Sequence, residues 1–296
     1  MEAPDALSTA AVLELATRAE DLGFDSLWVG DHIQWHQATL DSLCVLSALA
    51  VATRTARLGT SVLLLPLRHP VLVAKAAATI DHLCGGRLVL GLGLGTDAGG
   101  DYSATGIEPR TRGKRMDDSL RVLQPLLRGE VVDHESAAWK LSQTVLSPSP
   151  VQEAIPLLFG GHSVAALRRV ANSGQGWIAA FTPPSRLREQ LVILREECQR
   201  AGRDSGELEV LVIVYVERGP DEQTAVSTAD GYVRRQYRIP ASRLAPYSAF
   251  GPKETIERRL DEYLEAGATG FIFAYCGPRY LETTEFVAEA VNRRLA

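Results

Sequence analysis

Glycine, histidine and serine residues occur together where a predicted strand passes into a predicted helix. The segment FGGHSVAAL places Gly160, Gly161, His162 and Ser163 at this junction. Glycines let the backbone approach a ligand closely, and the amides and the serine hydroxyl at a helix start can hold a phosphate. The sequence therefore predicts an anion site here. In the alternative interpretation the glycines only make a tight turn and Ser163 only caps the helix.

His32 follows another predicted strand, directly after Asp31. Among the six histidines it alone combines a strand end with a neighbouring acid. That placement suits a proton donor or a ligand of a polar heterocycle. A histidine that is only hydrogen-bonded at the edge of a sheet is the alternative. His36 lies four residues further on, but a metal pair at this spacing needs a helix and a third ligand, so we predict no metal site.

Strands and helices alternate along the whole chain. Apolar spacing and turn signals predict strands at 24–30, 57–65, 87–95, 155–159, 176–180, 208–216 and 269–275. The alternation predicts parallel strands, and the predicted fold class is α/β, a (β/α)8 TIM barrel formed by a single domain over residues 1–296. The rival fold, a doubly wound open sheet, would carry a glycine-rich turn after its first strand, where this chain has GDHIQW.

Two features depart from a regular barrel. No strand is predicted before the first helix, because MEAPDALS is short and polar. Either the sequence starts late or the barrel has seven strands. The segment 129–154 breaks the alternation and is typical of a short hairpin insertion. A barrel that lacks a strand exposes a sheet edge, which a partner subunit can cover. We therefore expect a homodimer.

The carboxyl ends of barrel strands are where active sites lie, and three more of them hold candidate side chains. The candidates are Ser61 and Val62 in the second predicted strand, Thr96 and Asp97 after the third, and Trp177 in the fifth. The third strand, RLVLGLGLG, also contains interior glycines. A flat ring lying near the strand ends would explain them, and so would close packing inside the barrel.

Composition excludes several classes of protein. Hydrophobic residues make up 46% of the chain and charged residues 23%, as in a globular protein with an ample core. The net charge is −5 and the basic residues are scattered, so we predict no nucleic-acid partner. No apolar run approaches the roughly 18 residues of a membrane helix, and no signal peptide is evident. The four cysteines show no disulfide or zinc spacing. We expect a cytoplasmic protein with no membrane partner.

Three stretches in register resemble the bacterial luciferase-like family of flavin and deazaflavin (F420) oxidoreductases. They are AEDLGFDSLWVGDHI, RLGTSVLLLPLRHPVLVAKAAATIDHLCGGRLVLGLGLG and IPLLFGGHSVAALRRVANSGQGWIA. The resemblance implies a barrel that holds a flavin-type ring at its strand ends and the cofactor phosphate on residues 160–163. It also implies a non-proline cis peptide at Ser61-Val62 that props the ring, and a role for His32 in contacting the deazaflavin or assisting proton transfer. The predicted cofactor-binding residues are Asp31, Ser61, Val62, Thr96, Gly160, Gly161, His162, Ser163 and Trp177.

One departure from the family bears on catalysis. The sugar-phosphate dehydrogenases of the family present a glutamate in the loop after the third strand, where this chain has Ala98 with Asp97 beside it. The departure counts against a sugar-phosphate reaction and leaves Asp97 as a candidate acid, together with His32 as the predicted catalytic residues.

Two functions follow from the resemblance, and a third follows from the missing strand. The first is an F420-dependent oxidoreductase that moves a hydride between the deazaflavin and a small organic substrate. The second is an FMNH2-dependent monooxygenase of the same fold, with FMN as the alternative cofactor. The third is a catalytically inactive flavin-binding barrel. The loops at 96–109, 129–154 and 237–252 would shape the substrate site.

Overall fold

Strands that alternate with helices fill the part of the chain that the computed structural model describes, residues 8–295. These residues form two compact units. We call residues 25–35 and 39–157 the His32 unit, and residues 8–24, 36–38 and 158–295 the Ser163 unit. Most of the segment that was predicted to lack a strand, residues 1–7, lies outside the described residues. The single domain over residues 1–296 stays a prediction.

The elements agree with the predicted ones to within a few residues. The helices are α1 Thr9–Asp21, α2 Ser42–Ala52, α3 Pro70–Cys84, α4 Asp101–Thr105, α5 Arg112–Leu127, α6 Val164–Ser173, α7 Pro184–Arg200, α8 Glu222–Tyr237, α9 Lys253–Ala266 and α10 Tyr280–Leu295. The strands are β1 Ser26–Val29, β2 Arg57–Thr60, β3 Leu63–Leu64, β4 Leu88–Gly93, β5 Val132–Glu135, β6 Lys140–Thr144, β7 Leu157–Gly160, β8 Gly176–Ala179, β9 Glu209–Arg218, β10 Ser248–Gly251 and β11 Gly270–Tyr275. The sequence analysis missed α4 and β10.

The sheet of the His32 unit is parallel. Strand β2 lies between β1 and β4, with Leu58 opposite both Leu27 and Leu88. Leu58, Leu88 and Leu90 are fully buried, as expected for strands that are covered on both faces. Helix α2 packs against β2 and α3, and α3 packs against α5. Parallel pairing brings the carboxyl ends of β1 and β2 to the same edge, and His32 follows β1 at that edge.

The predicted strand 57–65 is interrupted in the middle. Strand β2 ends at Thr60 and β3 begins at Leu63, and the peptide bond between Ser61 and Val62 is cis. Both short strands pair with β4. The Thr60 hydroxyl donates to the carbonyl of Gly91 at 2.7 Å. The predicted position of the cis peptide is confirmed.

The insertion in the segment 129–154 is a hairpin, as predicted. Strands β5 and β6 pair antiparallel. Asp118 of α5 fastens the hairpin, because its carboxylate accepts a hydrogen bond from Ser136 Oγ at 2.6 Å and bonds His134 Nε2 at 2.9 Å. These contacts tie β5 to a helix of the same unit.

The sheet of the Ser163 unit is also parallel. Its strand order is β7-β8-β9-β10, and β11 pairs with the other side of β9. Val212, Val214 and Val216 of β9 are fully buried. Strand β10 is four residues long and pairs only with the carboxyl-terminal half of β9, so its short, glycine-ended segment gave little periodic signal.

The helices and the cysteines bear on the class of protein. Of the helices between residues 8 and 295, none combines the length and the apolarity that a bilayer crossing requires. All four cysteines are free thiols: Cys84, Cys198 and Cys276 are buried, and Cys44 is exposed. Free thiols agree with the absence of a disulfide spacing in the sequence.

Candidate functional site

His32 forms a hydrogen-bonded pair with Asp101, the first residue of α4. His32 Nδ1 and Asp101 Oδ2 are 2.8 Å apart. The Asp101 side chain is fully buried, whereas 22% of the His32 side chain is exposed. Because an ionised carboxylate only accepts hydrogen bonds, Nδ1 carries the proton of the neutral imidazole. The other nitrogen, Nε2, has no partner within the described residues and is the atom available to a ligand.

Two backbone amides complete the surroundings of Asp101. Its Oδ1 accepts from the N–H of Ile33 at 2.6 Å and of Gln34 at 3.0 Å. Gly99 and Gly100 allow this approach: a side chain at Gly99 would overlap a neighbouring ring, and Gly100 has a φ of 92°. Asp101 therefore holds the residues that follow His32 as well as the imidazole itself.

Trp35 fixes the His32 ring from a second direction. The two rings are stacked with centroids 3.8 Å apart and an interplanar angle of 15°. One face of the imidazole is thus covered, and its edge at Nδ1 is occupied by Asp101. Among the described residues Nε2 is the imidazole nitrogen without a partner, and a ring fixed in this way can direct a proton transfer.

Asp31 is buried and fully engaged within the protein. Its carboxylate accepts from Ser42 Oγ at 2.9 Å, from the N–H of Leu64 at 3.0 Å and from Arg68 Nη2 at 2.7 Å. Arg68 also bonds Asp41 at 2.9 Å, and these two carboxylates raise the pKa of the Arg68 guanidinium against the effect of burial. The contacts assign Asp31 to holding the end of β1. Its predicted cofactor contact stays a prediction.

Asp97 and Thr96 lie on the exposed loop after β4. No hydrogen bond or ion pair of the Asp97 carboxylate occurs among residues 8–295, although Asp97 lines a cavity with Tyr102 and Ser103. Thr96 Oγ1 accepts a long bond of 3.4 Å from the N–H of Ala98. The acid that meets His32 is therefore Asp101 and not Asp97, because α4 turns the chain back toward the loop after β1.

Val62 explains one of the interior glycines of β4. A side chain at Gly93 would overlap the Val62 side chain, and one at Gly95 would lie 2.9 Å from Leu64 Cδ2. Close packing within the unit accounts for these glycines, which is the second of the two interpretations. The N–H of Ser61 donates to the carbonyl of Val29 at 2.8 Å, so Ser61 and Val62 lie at the carboxyl edge of the sheet. Their contact with a cofactor stays a prediction.

The loop 160–163, which we call the anion loop, joins β7 to α6. Ser163 caps the helix, and its Oγ accepts from the N–H of Ala166 at 3.2 Å. The amides of Val164 and Ala165, both exposed, find no acceptor in the described part of the chain, and the first turn holds no acidic residue. The serine cap of the alternative interpretation is thus observed, and two amides at the helix start have no acceptor among the described residues. The predicted anion site stays a prediction.

His162 is tied to the loop that follows β8. Its Nδ1 lies 3.3 Å from Thr182 Oγ1. The buried Gln190 amide fits with its nitrogen donating to the His162 carbonyl at 2.8 Å and its oxygen accepting from Arg186 Nη2 at 3.2 Å. Although His162 is exposed at its edge, desolvation by the surrounding chain lowers the pKa of its imidazole, and the positive charge of Arg186 lowers it further. A bound anion would oppose that effect.

Trp177 packs beneath the protein surface and bonds the anion loop. The side chain is fully buried, and its Nε1 donates to the carbonyl of Gly161 at 2.9 Å. Gly161 has a φ of 113°, and a side chain there would meet Ala166 at 3.0 Å. Trp177 therefore positions the loop, and its predicted contact with the cofactor stays a prediction.

Sequence reasoning missed three side chains that organise the site: Asp101, Thr182 and Gln190. Asp101 meets His32 across 69 residues, and no local spacing signals such a pair. The one available signal was the pair of glycines before Asp101, which is typical of a loop that approaches other backbone closely.

The chain matches the family model described as luciferase-like monooxygenase over residues 2–281. It belongs to that family. The predicted family is confirmed, and the chain is an enzyme, a luciferase-like oxidoreductase.

Relatives with stated activities include dehydrogenases and a monooxygenase. An F420-dependent glucose-6-phosphate dehydrogenase from Nakamurella multipartita is 31% identical over 223 residues, 72% of this chain and 65% of the relative. An F420-dependent secondary alcohol dehydrogenase in complex with an F420-acetone adduct superposes with a TM-score of 0.86 at 20% identity, over 96% of this chain and 94% of the other. The oxygenating constituent of 3,6-diketocamphane monooxygenase from Pseudomonas putida, in complex with FMN, gives a TM-score of 0.80 at 17% identity, over 97% and 93%.

The structural neighbours confirm the predicted fold class, the luciferase-like TIM barrel. At 20% and 17% identity these neighbours show the fold alone.

Proposed function

We propose that this protein is an F420-dependent oxidoreductase that transfers a hydride between C5 of the deazaflavin and a small organic substrate. The His32–Asp101 pair carries the proposal, since it presents a single imidazole nitrogen to a ligand. The F420-dependent relatives support the choice of cofactor. When bound, the deazaflavin supplies the hydride acceptor or donor.

His32 handles the proton that accompanies the hydride. When an alcohol is oxidised, Nε2 takes the hydroxyl proton, and when a carbonyl is reduced, Nε2 gives the proton back. Asp101 accepts the Nδ1–H in both states and stabilises the positive charge that forms on the imidazole. Trp35 keeps the ring from rotating out of this geometry. Asp101 is thus a positioning residue, and His32 is the proposed catalytic one.

The anion loop would hold the cofactor phosphate. Its residues fit that group: the start of α6 is exposed, two amides have no acceptor within the described chain, and the first turn has no acidic residue. Protonated His162 would add a positive charge beside the bound phosphate. The fit extends to any cofactor that carries a phosphate.

An FMNH2-dependent monooxygenase is the second candidate. The family model and the FMN-bound neighbour favour it, and FMN also carries a phosphate that the anion loop suits. The third candidate, an inactive flavin-binding barrel, is disfavoured because a protein without turnover has no use for a buried aspartate that orients a histidine.

A binding and turnover experiment separates the three candidates. The protein is titrated with F420 and, separately, with FMN while tryptophan fluorescence is followed, and oxidised F420 is then offered with 2-propanol and 1-phenylethanol. Tight F420 binding with turnover of either alcohol is the expected result. A preference for FMN with oxygen consumption favours the monooxygenase, F420 binding without turnover of either alcohol contradicts the oxidation of these alcohols, and binding of neither cofactor contradicts all three.

The expected setting of the enzyme belongs to the same proposal. We expect a homodimer in the cytoplasm that acts on a small molecule, with no nucleic-acid or membrane partner. Light scattering on the purified protein measures the oligomeric state directly.

A further inference from the structure

Phe181 has a backbone conformation that aromatic residues rarely adopt. It follows β8 with a φ of 50°, in the left-handed region. That region is unfavourable for a residue with a Cβ. Its side chain is nevertheless 40% exposed. A residue needed only for the turn would be glycine or asparagine, and a residue needed only for the core would be buried.

Three tyrosine rings hold the exposed ring in place. Phe181 stacks on Tyr215 with centroids 5.4 Å apart, and it meets the edges of Tyr237 at 5.7 Å and Tyr247 at 6.0 Å. We call these four residues the Phe181 cluster. The hydroxyls of Tyr215 and Tyr237 lie 3.2 Å apart and bond each other. All three tyrosines support the phenylalanine, which presents its remaining surface to solvent.

The Phe181 cluster is uncharged. Burial raises the pKa of Tyr237 to about 12 and holds the pKa of Tyr215 well above its ordinary value, so neither ionises near neutral pH. None of the four side chains can bind a phosphate by charge. The surface they form suits a flat apolar group and does not suit a sugar phosphate.

Thr182 joins the cluster to the anion loop within the Ser163 unit. Thr182 is the next residue after Phe181, and its Oγ1 lies 3.3 Å from His162 Nδ1. The Thr182 carbonyl accepts a hydrogen bond from the buried Tyr263 hydroxyl at 2.9 Å. The turn that carries Phe181 is therefore anchored on one side to the protein interior and on the other to the loop proposed to hold the cofactor.

We propose that the Phe181 cluster is a stacking subsite for an aromatic substrate, so that the protein binds alcohols or ketones with an aryl group more tightly than those without one. The proposal rests on the proposed function for the identity of the reaction. The aryl ring stacks on the exposed face of Phe181, and the hydroxyl or carbonyl remains free for the chemistry. The strained backbone is explained because it turns the ring outward.

The test compares two probes that differ only in the ring. The dissociation constants of 1-phenylethanol and 1-cyclohexylethanol are measured by proton NMR titration of the full-length protein. Stacked aromatic pairs are worth about a three- to tenfold change in affinity, so 1-phenylethanol is expected to bind about three- to tenfold more tightly. In Phe181→Leu the two probes should bind equally, and in Phe181→Tyr the preference should return.

Phe271→Leu is the matched control. Phe271 is a partly buried phenylalanine of the same unit that contacts Phe273 and lies outside the cluster. Its replacement should leave the preference unchanged, and thermal denaturation of each variant verifies folding. Equal binding of the two probes to the unmodified protein, a preference that survives in folded Phe181→Leu, or an equal loss in Phe271→Leu would overturn the proposal.

F420 titrations of the same proteins separate this proposal from the proposed function. Aryl preference without F420 binding would contradict the proposed function and leave the subsite standing. F420 binding and alcohol turnover without aryl preference would contradict the subsite and leave the function standing.

Discussion

Two buried aspartates of the His32 unit each accept two consecutive backbone amides of a loop, but their second oxygens bond different side chains. Asp81 accepts the N–H groups of Val151 and Gln152 at 2.8 and 2.9 Å, and its other oxygen accepts from the Gln152 side-chain amide at 2.7 Å. Asp101 likewise accepts two consecutive backbone amides, but its other oxygen meets His32. Both carboxyl side chains are buried.

The difference shows what converts a structural device into a candidate catalytic one. Fixing a loop needs only a carboxylate and amides, and Asp81 achieves that with a partner that cannot titrate. Asp101 uses the same geometry on a histidine that keeps one nitrogen for a ligand. The backbone bonds supply rigidity, and the imidazole supplies chemistry.

The largest effect on turnover is expected for a substitution at Asp101. Asp101→Asn should lower turnover of F420 with 1-phenylethanol by about 10²–10⁴-fold, the range for losing acid–base catalysis, with most of the loss in kcat and little in KM. The asparagine oxygen can still accept from both loop amides, but its NH2 group takes the place of Oδ2, donates toward His32 Nδ1 and reverses the tautomer.

Asp81→Asn is the matched control for that variant. It should lower the melting temperature to a similar degree, because it weakens a comparable set of buried hydrogen bonds, while turnover stays within about threefold of the original. Equal turnover losses in the two variants would mean that Asp101 acts only through stability.

A second pair of matched elements tests the anion loop. Helices α1 and α6 both begin after a serine cap, Ser8 and Ser163, whose side chain accepts the third amide of the helix. Ala10→Asp and Ala165→Asp place a carboxylate at the same position of each first turn. Both should keep or raise helix stability.

Only Ala165→Asp should weaken F420 binding, by about tenfold or more, because its carboxylate occupies the free amides and repels a phosphate. Fluorescence titration measures the two dissociation constants. Unchanged F420 affinity in Ala165→Asp would remove the anion loop from the cofactor site.

A third buried carboxyl, that of Glu217, differs from Asp81 and Asp101 because no backbone amide among the described residues donates to it. Glu217 is buried, and one of its oxygens has no hydrogen-bond partner within the described residues. Burial raises its pKa, and the Arg279 guanidinium 3.7 Å away only partly opposes this. Since the folded pKa lies above the unfolded one, its contribution to stability is complete below the unfolded pKa and is lost as pH rises through the folded pKa.

Glu217→Gln should therefore raise the free energy of unfolding at pH 8 and should gain nothing at low pH. Denaturant titrations at both pH values measure the difference. Glu207→Gln, at an exposed glutamate, should change neither value. A variant at position 217 that is less stable at pH 8 would show that the Arg279 contact outweighs burial.

The smallest expected effect concerns His162. Its pKa is lowered by desolvation and by Arg186, and a bound phosphate favours the protonated form. F420 affinity should therefore rise as pH falls through the pKa of this histidine, by about two- to threefold. In His162→Asn that rise should be absent, and comparing the two proteins removes any titration of the ligand itself.

Local patterns predicted the elements and the edges that carry the site. The helix start after Gly161 and the strand end before His32 each have a signal within a few residues. The cis peptide at Ser61-Val62 came from the family resemblance, since the residues themselves do not require it.

The sequence could not predict which side chains bond each other, and the reason is physical. Asp31 is next to His32 in the sequence, and Asp101 is next to it in the fold. Burial and the direction of the backbone decide which of the two bonds the imidazole. Asp31 points to Arg68, and Asp97, the predicted acid, lies on the exposed loop. Such choices depend on packing between elements that are distant in sequence.

The most direct measurement is the tautomer of His32, read from nitrogen-15 chemical shifts of its imidazole in the unmodified protein, in Asp101→Asn and in Asp81→Asn, with His32→Asn to assign the signal. The account predicts a proton on Nδ1 in the unmodified protein and in Asp81→Asn, and a proton on Nε2 in Asp101→Asn. A proton on Nε2 in the unmodified protein, or no change in Asp101→Asn, would contradict it.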